Sequence, residues 1–98
     1  MNSKHPRPKG RIYLYLMGGR GGEHRFTRGT FADLKTEGIS PASGMRLRFY
    51  CDDSDNLGRP DYLLFDGVIR QDMHGEWWAT VVDERYWHES DERTLYPR

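Results

Sequence analysis

Cysteine is nearly absent from this sequence, since Cys51 is the only one among 98 residues. A single thiol cannot form an internal disulfide, which excludes a small secreted scaffold held together by such bonds. No Cys-x-x-Cys pair is available and the histidines stand singly, so we expect no zinc site. Alternating polarity places Cys51 on the apolar face of a predicted strand, which indicates a buried, inert thiol.

Long hydrophobic runs are also absent. No segment approaches the roughly eighteen consecutive apolar residues that a membrane-spanning helix needs, and 36% of the residues are hydrophobic against 31% charged. The apolar stretch at residues 12–17 is too short for the hydrophobic region of a signal peptide. We therefore expect a cytoplasmic protein without a membrane partner.

The chain has no excess of charge of one sign, because 15 Lys and Arg residues balance 15 Asp and Glu residues. This balance is atypical of a general nucleic-acid binder. The charges are nevertheless segregated: residues 1–28 hold seven cations and one acid, a net +6, which leaves −6 on residues 29–98. The cationic segment can bind a polyanion, or it can bind the acidic remainder of the same chain or of a neighbouring copy.

The motifs of serine hydrolases, phosphate loops and calcium loops are missing, and the carboxylates that flank one predicted hairpin, at Asp66, Asp72 and Asp83, are the remaining option for an enzyme. There is no G-x-S-x-G sequence, and the glycine-rich stretch at residues 18–22 lacks the Lys-Ser/Thr that follows in a phosphate loop. A calcium-loop template that starts at Asp53 places Leu57 at a ligand position and Leu64 at the position of the closing glutamate. The sequence therefore predicts no catalytic residues, no cofactor and no metal site.

The length suits one small domain. Residues 1–10 predict a flexible basic arm, residues 11–89 the single domain, and residues 90–98 a polar C-terminal tail. Gly67 predicts a bulge or bend, and Gly75 a hairpin turn over residues 72–75. The other predicted elements are strands over residues 11–17, 23–27, 45–51, 61–71 and 76–83, a helix over residues 30–37 capped by Thr30 and ended by Gly38, and a helical turn over residues 85–88.

Residues 44–88 run through strand GMRLRFY, a polar loop, strand DGVI, turn HG, strand EWWATVV and aromatic turn RYW. This order of elements and glycines resembles SH3-like small barrels, a group that includes Tudor-type modules. The predicted elements indicate a mainly β fold with about five strands and one short helix near residues 30–37, and together with the resemblance they predict a small antiparallel SH3-like barrel. The resemblance also implies a binding role rather than catalysis, although no ligand motif accompanies it.

Two predicted strands carry cations and tyrosines on the face opposite their apolar residues. Guanidinium groups suit phosphates and flat rings suit bases, so this pattern is typical of single-stranded nucleic-acid binding. The same tyrosines can instead pair across strands and cover arginine stems without any ligand. The residues concerned are Arg11, Tyr13 and Tyr15 on the first strand, and Arg46, Arg48 and Tyr50 on the second.

Tryptophans suggest a different partner. Because Trp77 and Trp78 are adjacent in a predicted strand, they must point to opposite faces, so one is exposed unless Phe31 or the segment containing Trp87 covers it. The leading hypothesis is a non-enzymatic module that binds a protein or peptide, or a second copy of itself, through exposed aromatic residues. The alternative is a module for single-stranded RNA or DNA that uses the basic arm and the Arg/Tyr faces.

Overall fold

The computed structural model describes residues 8–16, 22–54 and 60–88, with the backbone alone at residues 53, 54, 60 and 83–88. The predicted tail and most of the predicted arm lie outside these ranges. A mainly β chain with one helix is confirmed. Its elements are β1 (Ile12–Tyr13), β2 (Glu23–Arg25), α1 (Arg28–Glu37), β3 (Arg46–Ser54), β4 (Pro60–Gln71) and β5 (Trp77–His88).

The strands form one five-stranded sheet in the order β1-β3-β4-β5-β2. β3, β4 and β5 are an antiparallel meander and β2 pairs antiparallel with β5, whereas β1 pairs parallel with β3. The prediction of an antiparallel barrel is therefore wrong. In the described part of the chain the sheet is open, because the edge strands β1 and β2 are only two and three residues long and pair with inner strands, not with each other.

One face of the sheet, the inner face, carries the main core. Phe49 and Phe65 lie opposite each other in the β3–β4 register, are fully buried, and stack with ring centroids 5.9 Å apart. The predicted alternation in β3 is confirmed up to Phe49, with Leu47 buried and both Arg46 and Arg48 exposed. The core comprises Ile12, Leu14, Phe26, Leu34, Leu47, Phe49, Cys51, Leu63, Phe65, Ile69, Ala79 and Val81.

Helix α1 begins earlier than predicted. Its N-cap is Thr27, and the Thr27 N–H donates to Thr30 Oγ1 at 3.0 Å, so Thr30 supports the cap from inside the helix. Gly38 ends the helix as predicted, in the left-handed conformation at φ 69°. The Leu34 side chain is buried in the main core, while Phe31 stays 47% exposed.

The register shift in β4 lies between Leu64 and Asp66, next to Gly67, where the sequence predicts a bulge or bend. Gly67 itself meets a packing requirement. A Cβ atom at Gly67 would lie 2.9 Å from the Thr80 carbonyl oxygen and 2.9 Å from Phe49 Cε2. Glycine is needed there because two neighbouring groups approach the backbone closely.

The β4–β5 hairpin turn is confirmed, with Gly75 at φ 84°. Beyond it, β5 continues through residues 85–88, so the predicted helical turn there is wrong. The backbone of Trp87 is paired with Leu64 and that of His88 with Leu63. Pairing with the first half of β4 outweighs the local preference for a turn.

Candidate functional site

Arg11 belongs to the interior of the structure. Its side chain is almost fully buried, and Nη1 donates to the carbonyl oxygens of Phe49 at 3.1 Å and Phe65 at 3.5 Å. The same nitrogen lies 3.9 Å from a carboxylate oxygen of Asp66. Alternation predicted a side chain facing solvent, but these long-range acceptors enclose the guanidinium and leave it unavailable to a ligand.

The predicted tyrosine platform is also largely enclosed. Tyr50 is 7% exposed, and its hydroxyl donates to Asp33 Oδ2 at 3.0 Å. Tyr13 and Tyr62 pack edge to face against Tyr50, with ring centroids 5.7 and 5.1 Å away. Burial, followed by the nearby Asp52 carboxylate, raises the pKa of Tyr13 above its ordinary value. Among the tyrosines whose side chains the structure describes, only Tyr15 is largely exposed, at 54%.

A shallow cleft of about 280 Å³ lies beside this tyrosine cluster. Its lining residues are Tyr13, Tyr15, Leu16, Cys51 and Asp52. The Cys51 thiol is buried, as predicted. Asp52 is the single carboxylate in the lining of this cleft.

The second face of the sheet, the outer face, carries exposed arginines. Arg46 lies 3.1 Å from Asp66, and Arg70 binds both carboxylate oxygens of Glu23 at 2.6 and 2.8 Å. The hydrogen bond from Arg70 is the main cause that lowers the pKa of Glu23. Among the described residues, Arg48 and Arg25 form no ion pair.

The adjacent tryptophans point to opposite faces, as predicted. Trp77 lies on the inner face and stacks on Phe26 with ring centroids 6.1 Å apart. Trp78 lies on the outer face, where its Nε1 donates to Asp72 Oδ2 at 2.9 Å and the Arg70 guanidinium lies 5.9 Å from its ring centroid. Both rings are half-buried. The side chain of Trp87 lies outside the described set.

The two sheet edges differ in what they offer a partner. At β1, the outward N–H of Tyr13 already donates to Asp33 Oδ2 at 3.0 Å. At β2, the Phe26 N–H donates to Trp77 O and Gly22 O accepts from the Val81 N–H. Gly22 and Phe26 therefore direct their backbone groups toward β5.

Because the direction of backbone groups alternates along an antiparallel strand, Glu23 and Arg25 direct their N–H and C=O groups away from β5. No strand in the described ranges pairs with that side. Sequence reasoning missed this edge, because strand order depends on distant pairing. The only local signal was the alternation of charge at Glu23 and Arg25 around His24.

Comparisons with models of known families, with curated proteins and with solved structures found no match. Over residues 8–16, 22–54 and 60–88, no group of three or more His, Cys, Asp or Glu side chains is arranged to hold a metal ion. Within the same ranges, no helix combines the length and apolar character needed to cross a membrane.

Proposed function

We propose that this chain is a non-enzymatic interaction module that binds an extended segment of a protein along the free edge of β2. One observation carries the proposal: the backbone groups of Glu23 and Arg25 face outward at an edge with no paired strand in the described part of the chain. Extended peptides add to such edges as an extra strand, with main-chain hydrogen bonds supplying affinity. The β1 edge is a poorer site, because Asp33 occupies the outward N–H of Tyr13.

Side chains beside β2 indicate which segment would fit. On the inner side, the half-exposed Phe31 packs edge to face on Phe26 with centroids 5.5 Å apart, and Phe26 stacks on Trp77. On the outer side, the exposed Arg25 lies opposite Trp78 in the β2–β5 register. Because side chains of an added strand alternate between the two sides, the preferred segment places apolar or aromatic residues on the inner side. On the outer side it places an acidic residue opposite Arg25 and a basic residue opposite Glu23.

In this proposal Trp77 and Trp78 are flanking groups on the two sides of the edge. Tyr15 and Trp87 remain predictions. Tyr50 does not enter the proposed surface, because it is buried against Asp33.

The test uses Arg25→Pro. Proline removes the outward N–H of residue 25 and obstructs strand addition, but it breaks no hydrogen bond to β5, so the variant is expected to fold. Peptides selected from a displayed library of random extended sequences are measured by fluorescence anisotropy, with Arg25→Ala as the matched control that keeps the N–H. We expect Arg25→Pro to weaken binding about tenfold more than Arg25→Ala, which corresponds to about one lost hydrogen bond. Equal binding to both variants, or no selected peptide from a chain that is also monomeric, would reject the proposal.

A second candidate function, binding of single-stranded RNA or DNA, is supported by exposed arginines among the described side chains of the outer face: Arg25, Arg46, Arg48 and Arg70. It ranks second because carboxylates already hold Arg46 and Arg70, and because Tyr50 is too buried to stack on a base. A labelled oligonucleotide distinguishes the two functions: its binding should fall steeply with salt and weaken in Arg48→Glu. Binding at the β2 edge should be insensitive to Arg48→Glu.

A further inference from the structure

We infer that β2 of a second copy of this chain occupies the β2 edge, antiparallel to the first, with the two-fold axis at His24. The inference rests on the proposed use of this edge and names its partner. It follows from the order of side chains along β2, where Glu23 and Arg25 flank His24 and both direct their backbone groups outward.

The backbone of β2 is self-complementary about His24. When two such strands run antiparallel with His24 opposite its own copy, Glu23 of each chain lies opposite Arg25 of the other. These are the positions whose N–H and C=O groups point outward, so each Glu23–Arg25 pair exchanges two main-chain hydrogen bonds. The same patch serves on both copies, as a two-fold interface requires, and the two five-stranded sheets join into one.

Charge selects this register over its neighbours. Glu23 and Arg25 lie on the outer face, in register with Thr80 and Trp78 of β5, so their side chains would meet across the new strand pair as opposite charges. An axis at Glu23 would instead oppose two carboxylates, and an axis at Arg25 two guanidinium groups. Within each chain, Arg70 already holds the Glu23 carboxylate at 2.6 Å, which orients it on this face. Arg25 has no ion pair among the described residues, so its guanidinium can pair with the Glu23 carboxylate of the second copy.

Charge reversal with a mixing step tests the inference by sedimentation velocity. Glu23→Arg and Arg25→Glu each turn two opposite-charge pairs into two like-charge pairs, so each variant alone should associate at least about tenfold more weakly than wild type. An equimolar mixture should recover dimers, because its two chains meet with opposite charges at both pairs. Arg48→Glu, which makes the same charge change on the outer face but away from the edge, should dimerise like wild type.

Three outcomes would overturn the inference: a wild-type chain that stays monomeric at high micromolar concentration, a mixture that associates no better than its components, or an Arg48→Glu variant as weak as Arg25→Glu. The proposed function fails separately. If wild type is monomeric but binds selected peptides, and Arg25→Pro abolishes that binding, the proposed peptide binding stands and the inferred dimer is wrong. If wild type dimerises but no peptide is selected, the inferred dimer stands and the edge does not serve a different partner.

Disulfide trapping tests the register. Opposed residues in an antiparallel pair have Cα atoms about 5.5 Å apart, which suits a disulfide. Oxidation of Glu23→Cys mixed with Arg25→Cys should therefore give a crosslinked dimer, whereas each variant alone should give little. Wild type is the control for Cys51, which is buried. Efficient crosslinking of either variant with itself would place the axis elsewhere.

Discussion

Asp33 Oδ2 accepts a hydrogen bond from the Tyr50 hydroxyl at 3.0 Å, and this bond ties helix α1 to the outer face of the sheet. The same oxygen accepts the Tyr13 N–H at 3.0 Å. One carboxylate therefore fixes the helix to β1 and β3 and closes the outward side of β1. At β2, by contrast, no strand within the described ranges pairs with the outward side.

Asp33→Ala should destabilise the fold by about 3 kcal/mol, because it leaves both the Tyr50 hydroxyl and the Tyr13 N–H without this acceptor. Tyr50→Phe should cost about 1 to 2 kcal/mol, since Asp33 keeps the Tyr13 N–H. Urea unfolding of both variants and the double variant measures the coupling. Strictly additive losses would show that the two residues do not stabilise each other.

Arg11 and Arg48 provide a matched pair of variants that tests whether the Arg11 side chain is buried. Arg11→Met removes the donor that serves the carbonyl oxygens of Phe49 and Phe65, so we expect a loss of about 2 kcal/mol. Arg48→Met, on the exposed outer face, should change the free energy of unfolding by less than about 0.5 kcal/mol. Equal effects in chemical denaturation would mean that Arg11 is not enclosed.

Gly67→Ala should destabilise the protein by about 2 kcal/mol or more, because the new methyl group would overlap the Thr80 carbonyl oxygen, which belongs to the backbone of β5 and cannot turn aside. The loss should appear as a lower midpoint of thermal unfolding. A variant as stable as wild type would show that β4 and β5 are farther apart at this point.

Acid should loosen the β4–β5 hairpin turn. The Trp78 Nε1 hydrogen bond, followed by the N–H groups of Glu76 and His74, lowers the pKa of Asp72 below its ordinary value of 3.8. Because the folded-state pKa is lowered, the stabilisation is complete above 3.8 and is lost as the pH falls through the lowered pKa.

An NMR titration that follows the Trp78 indole N–H should show this transition in wild type and not in Asp72→Asn. A midpoint at or above the ordinary value for aspartate would contradict the assigned hydrogen bonds.

Local pattern predicted the elements better than their pairing. Alternation around Phe49 and the stop at Gly38 depend on neighbours in sequence, so β3 and the end of α1 could be read directly. The parallel pairing of β1 with β3 and the extension of β5 to His88 depend on contacts between distant segments. No local pattern specifies them.

In the candidate site, too, features set by local strand geometry could be predicted and features set by distant contacts could not. The opposite orientation of Trp77 and Trp78 follows from strand geometry and was predicted. Alternation predicts that Arg11 and Tyr50 face solvent, whereas acceptors far away in sequence, at Phe65 and Asp33 respectively, hold them in buried positions. A polar residue on a strand's outer face is exposed only if nothing else covers that face, and sequence alternation does not report what covers it.

Amide hydrogen exchange at Arg25 reports directly on the β2 edge, because this N–H is placed to receive the added strand. We expect fast exchange in dilute protein, and slow exchange either at concentrations where the chain associates or in dilute protein saturated with a selected peptide. The Tyr13 amide, held by Asp33, should exchange at the same rate throughout. An Arg25 amide that exchanges equally fast under all three conditions would contradict the assignment of β2 as the binding edge.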